Sequence, residues 1–352
     1  MTTAATTPLR KAAYYAQQTG VMVPLAAAHL ALGRLGPGRA HAQRPVPPKE
    51  GIAELRRRYR ALLSRDLDNV EKGLYPAKLL FDLPVSEYLK RVPALFREIP
   101  RTLERRQTGD FQELPDDVDL RAYPPYFRRN FHWQTDGYLS RRSAEVYDLS
   151  VEFLFLGLAD VMRRQIVPPV TRFVQDRRTS DAGRLQVLDV ACGTGSALRV
   201  LAHAHPQLRY TGLDLSPYYL QVARERLRDV EDLSLVADNA EDMPFRDQRF
   251  DVVTSVYLFH ELPSNARRAV LRECLRVLRP GGLLVLEDSA QLVESPELGF
   301  ALENFAREFH EPFYRDYIRD DLAAAAQEVG FEVDRTEAHH VSKVVVARRP
   351  AD

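Results

Sequence analysis

The chain has 352 residues, 45% of them hydrophobic, and its 49 Lys and Arg are balanced by 49 Asp and Glu. That is enough apolar chain for a large core, and zero net charge argues against a general nucleic-acid coat or a basic membrane-surface binder. Cys192 and Cys274 have no Cys-x-x-Cys partner, so neither a disulfide framework nor a zinc knuckle is expected, and a reducing, cytoplasmic setting fits.

Arg10-Lys11, a mostly apolar run over 21–35 and Ala40-His-Ala42 have the outline of a secretion signal. Pro24, His29, Gly33 and Arg34 interrupt the run, which is too short and broken to span a membrane. Residues 1–48 are therefore expected to form an arm, packed on the protein or on a second subunit, which leaves a homodimer open. The arm ends in the linker-like Pro45-Val-Pro-Pro48. Residues 49–125 read as a helical region. Leu55, Tyr59, Leu62 and Leu63 recur at helix spacing, as do Tyr88, Leu89, Val92, Leu95 and Phe96, with prolines at 76, 84, 93 and 100 as punctuation.

Residues 126–180 concentrate His132, the single tryptophan Trp133, Gln134, Thr135, Tyr138, Arg141 and Tyr147, followed by a helix reaching Arg164. Polar and aromatic groups mixed without amphipathic period suit a lined cavity, and equally a helix–sheet interface that uses aromatics for bulk.

From 185 onward strands and helices alternate. Residues 185–190 read as a buried strand carrying Asp189. Ala191, Gly193 and Gly195 pass through a tight loop, and a helix follows that Ser196 is placed to cap. A second strand over 208–214 ends in Asp214, about 20 residues past the glycines, where an acid can take both hydroxyls of a ribose. A helix over 217–229, a third strand ending in Asp238, a fourth over 250–256, a helix over 266–278 and a fifth strand over 283–287 keep the rhythm. The expected fold is α/β, with a Rossmann-like, doubly wound, mostly parallel seven-stranded sheet and a helical N-terminal extension.

Five ordered segments carry a resemblance: Val187-Leu-Asp-Val-Ala-Cys-Gly-Thr-Gly195, Gly212-Leu-Asp-Leu-Ser216, Asp238-Asn-Ala-Glu-Asp-Met-Pro-Phe245, Phe250-Asp-Val-Val253 and Leu278-Arg-Pro-Gly-Gly282. Together they resemble the class I S-adenosylmethionine-dependent methyltransferases, in the style of the ubiquinone/menaquinone C-methyltransferase branch. The likeness covers about 180–350. The resemblance implies S-adenosylmethionine as cofactor, with Asp189, Ala191, Gly193 and Gly195 at its amino-acid part and Asp214 at its ribose. Leu215, Asp238, Asn239 and Ala240 would lie around its adenine. Val256, closing the fourth strand, and Tyr138, in the preceding lid, complete the implied set. Ala191 stands where the family often has glycine.

The same resemblance makes 126–180 lid helices over a core of 181–352. It sets Ser255-Val-Tyr-Leu-Phe-His-Glu-Leu-Pro263 toward the methyl group, with His260 and Glu261 as candidates for proton handling; a histidine titrating near neutral suits that task. It makes 290–317 a substrate-side insert. Trp133, Tyr147, Tyr257, Phe305, Phe309 and Tyr314 are the expected acceptor contacts. Phe305, Phe309, Phe313 and Tyr317 recur every four residues, an aromatic stripe on a helix that Pro312 interrupts. No metal site is expected, since adjacent His339 and His340 point apart on a strand.

The expected function is methyl transfer to an oxygen or carbon of a small, moderately apolar molecule, with no nucleic-acid partner and no stable membrane insertion. Two alternatives stand beside it. A nucleic-acid methyltransferase would bind RNA in a salt-sensitive way. A non-catalytic S-adenosylmethionine-binding scaffold would lack an acceptor pocket.

Overall fold

The structure is a computed structural model that describes residues 8–35, 48–177 and 184–351. Ala40-His-Ala42 and all of the Pro-rich linker except Pro48 lie outside the described residues.

Short apolar runs build a seven-stranded sheet in the order β3-β2-β1-β4-β5-β7-β6. β1 (Gln186–Val190), β2 (Arg209–Asp214), β3 (Leu233–Ala237), β4 (Phe250–Val256) and β5 (Leu278–Ser289) are parallel. β7 (Ser342–Arg348) runs antiparallel between β5 and β6 (Glu332–His339). Successive side chains of a strand leave opposite faces of the sheet. Val187, Val252 and Val285 accordingly join one core cluster, while Leu188, Val253 and Leu284 join another. Burial on both faces is why these strands read as continuous apolar runs. β1 pairs with β2 on one side and β4 on the other. The strand order therefore reverses at β1, which opens a crevice beyond the carboxyl ends of β1 and β4.

Several boundaries differ from expectation. β5 begins at Leu278: the Arg-Pro-Gly-Gly stretch joins the ladder through a register shift between Phe250 and Val252. The helix after β2 is Pro217–Arg226, shorter than expected. The helix expected to reach Arg164 breaks after Leu154, where Leu156 and Gly157 both take positive φ, and resumes at Ala159–Arg163. Gly195, not Ser196, is the N-cap of Ser196–Ala204, and the Ser196 hydroxyl donates instead to Asp148 at 2.6 Å. The aromatic stripe spans two helices, Gly299–Glu308 and Tyr314–Tyr317, with Phe309 already extended. Helix Val85–Thr108, by contrast, runs through Pro93 and Pro100 and ends on the left-handed Gly109.

The N-terminal helix Pro8–Leu35 packs on its own chain. Tyr14 is fully buried, and its hydroxyl donates to Asp66 of helix Lys49–Glu71 at 2.5 Å. Tyr75 donates to the same carboxylate, and Arg164 grips it with Nε at 3.0 Å and Nη2 at 2.5 Å. A buried carboxylate with this many donors ties the helical extension to the segment that leads into the sheet.

Candidate active site

At the carboxyl end of β1, Asp189 sits opposite Thr254 of β4 in register, and the Thr254 hydroxyl donates to its Oδ1 at 2.7 Å. The other oxygen, Oδ2, is buried and finds no hydrogen-bond partner among the described residues. Burial pushes this carboxyl up to about 7, against the pull of the Thr254 hydrogen bond. Such an oxygen awaits a cationic donor.

The loop beyond β1 is held open by backbone conformation. Ala191, Gly193 and Gly195 all have positive φ. A Cβ on Gly193 would meet nothing within 4 Å, whereas one on Gly195 would strike Leu227 Cδ1 at 2.6 Å. Gly193 thus borders the cavity, while Gly195 serves helix packing and does not line it. Asp214 receives the N–H groups of Gly193 and Ser216, each at 2.8 Å, and burial still raises it to about 6. Ala191, Leu215, Asp238, Asn239, Ala240 and Val256 line the same cavity as Asp189, Gly193 and Asp214. The expected cofactor set, Gly195 apart, is therefore brought together.

The segment before β1 closes over this cavity. Tyr138, Tyr147 and Tyr219 form a triangle with ring centroids 5.3–6.0 Å apart, and Tyr126 and Phe127 complete the wall. Asp148 and Arg163 also line the cavity but carried no sequence signal. Asp148 accepts from the hydroxyls of Thr194 and Ser196 and from Arg226, each at 2.6 Å. Burial opposes its charge, but the Arg226 and Arg163 guanidiniums and the two hydroxyls outweigh that and hold the carboxyl below the usual range. The lid is thereby locked to the glycine loop.

At the end of β4 the chain turns through Tyr257, another residue of positive φ. Glu261 lines the cofactor-side cavity, while His260 faces a second one. His260 Nδ1 contacts the buried Asp288 Oδ1 at 2.7 Å, which leaves Nε2 turned toward Glu261, 4.0 Å away. The Tyr138 hydroxyl donates to Glu261 Oε1, and His132 Nε2 lies 3.2 Å from the same oxygen. Burial disfavours charge on His260, yet Asp288, Glu311 and Glu261 outweigh it and raise the imidazole to about 9. The expectation of a histidine that titrates near neutral took no account of these carboxylates, which pull the imidazole upward.

The second cavity, about 630 Å³, is mainly apolar. Met22, Ile52, Leu55 and Tyr59 of the extension form one wall, and Leu302, Phe305 and Tyr314 of the insert form another. Tyr257 lines both cavities. Of the expected acceptor contacts, Tyr257, Phe305 and Tyr314 reach this space, and Tyr147 lies on the cofactor side. Trp133 and Phe309 line neither. The Trp133 indole donates to the Glu308 carbonyl at 3.1 Å, and Phe309 stacks on Phe305 with centroids 4.7 Å apart. Both support the insert from behind.

A nucleotide-type crevice with an acid at the end of each of its first strands defines a class. Residues 187–282 match the family described as a methyltransferase domain. Over that stretch, fold, motif order and match together are those of a class I S-adenosylmethionine-dependent methyltransferase domain. The demethylmenaquinone methyltransferase of Thermotoga maritima is 37% identical over 147 residues, 42% of this chain and 58% of that protein. The protein of that name from Listeria welshimeri is 39% identical over 108 residues, 30% of this chain and 45% of that one. The chain thus spans about half the length of the curated relatives it matches. Among solved structures, an O-methyltransferase family protein from Burkholderia thailandensis aligns over 60% of each chain at 18% identity with a TM-score of 0.46. S-adenosylmethionine is the cofactor of this domain class, and the orphaned Asp189 oxygen and the open space at Gly193 fit its methionine end. No described helix is long and apolar enough to cross a membrane.

Proposed function

We propose that the chain is an S-adenosylmethionine-dependent methyltransferase acting on an oxygen or carbon of a small, largely apolar acceptor, aromatic or quinone-like in shape, in the cytoplasm where the cofactor is made. One observation carries this reading: Tyr257 lines both the cofactor crevice and an apolar cavity of about 630 Å³. That volume suits a ring system with an apolar substituent. Demethylmenaquinone, in the name of the relatives, has that chemistry. A scaffold that only bound cofactor would have no use for such a cavity.

Bound cofactor supplies an activated methyl group, whose carbon takes an electron pair from the acceptor while the carbon–sulfur bond breaks toward sulfur. The chain's own work is alignment and exclusion of water. Asp189 takes the ammonium on its free oxygen, and the amides at the start of helix Ser196–Ala204 take the carboxylate. Asp214 holds the ribose hydroxyls, with Leu215, Asp238, Asn239 and Ala240 around the adenine. The tyrosine triangle excludes water. Glu261, beside the partition, accepts the acceptor's proton, and His260, its Nδ1 held by Asp288, presents Nε2 toward the acceptor's oxygen.

The test is methyl transfer from radiolabelled cofactor to a panel of naphthoquinols, phenols and RNA. Labelled product from apolar ring acceptors is expected. Label incorporated only into RNA, or into nothing while the cofactor binds, would overturn the reading.

A further inference from the structure

His132, His260, Glu261 and Glu311 each present one donor atom to a common point, and these atoms lie within 4.8 Å of one another. They come from three separate places: the strained lid turn, the segment after β4, which supplies two, and the insert. From this convergence the geometry points to a binding site for one divalent transition-metal ion at the partition between the two cavities. Nothing in the sequence motifs assigns it.

The second observation is what the cluster leaves unsatisfied. Glu311 has a fully buried side chain, and neither of its oxygens has a hydrogen-bond partner among the described residues. His132 Nδ1 lies 2.8 Å from Glu311 Oε1 without hydrogen-bond geometry, and it too is buried and unsatisfied. With that imidazole as its near neighbour and no hydrogen-bond donor, a buried carboxylate is costly unless a cation completes it. The histidines are prepared in the way metal-bound imidazoles are. The Asp288 carboxylate at 2.7 Å holds Nδ1 of His260 and leaves Nε2 free to ligate. The backbone of His132 pays with a φ of 53° to aim its ring inward.

Donor type selects the ion. Two imidazoles and two carboxylates suit Zn²⁺, Fe²⁺, Mn²⁺ or Co²⁺ rather than Ca²⁺ or Mg²⁺, which favour oxygen alone. Two carboxylate charges match a divalent ion. A shell of radius about 2.1 Å spans at most about 4.2 Å, so the cluster contracts by a few tenths of an ångström on loading. An ion held there would lie beside His260, which lines the apolar cavity, and would take an oxygen of the acceptor directly. This rests on the reading that the acceptor meets the cofactor beside Glu261. Under it, His260 and Glu261 hold the acceptor through the ion instead of contacting it themselves.

The test titrates the metal-stripped full chain with Co²⁺ and Zn²⁺, following heat and the visible Co²⁺ bands. One equivalent at micromolar affinity or tighter is expected, with bands of nitrogen–oxygen coordination. Glu311→Gln and His132→Ala should each lower affinity about 100-fold or more, and Asp288→Asn about 10–100-fold. Thermal melts and cofactor titration of the same samples report whether the variants fold. No specific equivalent on the wild-type chain, or undiminished binding in a folded Glu311→Gln or His132→Ala, overturns the site. Metal binding without cofactor binding would defeat the proposed function and leave the site standing; the converse would do the opposite.

Discussion

Thr254 and Asp189 face each other across the β1–β4 ladder, and the 2.7 Å hydrogen bond between them uses one carboxylate oxygen and leaves the other bare in the crevice. Replacing Asp189 by Asn keeps the shape and removes the charge. A charge-assisted hydrogen bond contributes about 1.5–3 kcal/mol, so cofactor affinity should fall about 10–100-fold in calorimetry. Unchanged affinity would mean that the ammonium binds elsewhere.

The same carboxyl gives a pH dependence. Its folded-state value of about 7 lies above its ordinary 3.8. Between those limits the folded protein keeps a proton that the unfolded chain has lost, so this group's contribution to stability falls as pH rises from about 4 to 7. Cofactor binding runs the other way, because its ammonium needs the ionised form. Affinity should rise up to about pH 7 and level off, with proton release below pH 7 seen as heats that differ between buffers. Asp189→Asn should flatten that slope.

Asp66 holds Tyr14, Tyr75 and Arg164 in one buried network. Asp66→Ala strands the Arg164 guanidinium, and a loss on the order of 3–5 kcal/mol is expected in urea unfolding. Tyr14→Phe removes one donor and should cost about 1 kcal/mol. Because Met22 of the same helix lines the apolar cavity proposed for the acceptor, Tyr14→Phe should also raise the KM for acceptor more than the Kd for cofactor.

Ala301 lines the apolar cavity from helix Gly299–Glu308. Ala301→Phe should fill part of that space, raise acceptor KM about tenfold and leave cofactor affinity alone. A matched loss of both would place the cavity outside the acceptor path.

Ala191 occupies the left-handed region at φ 57°. That conformation costs a side-chain-bearing residue about 1–2 kcal/mol, part of which glycine returns as backbone entropy. Ala191→Gly is therefore expected to change the melting temperature little, with a small rise.

Much of this was legible in the sequence because the signals are local. Strand–loop–helix repeats placed β1 to β4 and the acids at their ends, and those acids do converge. The missing parts are tertiary. Asp148 meets Thr194 and Ser196 across a gap of more than 40 residues, and no periodicity marks it. His132 stood out within the aromatic lid, but Glu311, its partner from the insert, did not. The carboxylate that holds His260 could not be foreseen either, because Asp288 is delivered beneath it by β5. The aromatic stripe was recognised, yet its split into two helices turned Phe309 away from the cavity.

The most direct test of the account is calorimetric titration of the wild-type chain and Asp214→Ala with S-adenosylmethionine. Micromolar binding by the wild type is expected, with at least a tenfold loss in the variant, whose ribose acceptor is gone. No binding by the wild type, or equal binding by both, would contradict the assignment of this crevice to the cofactor.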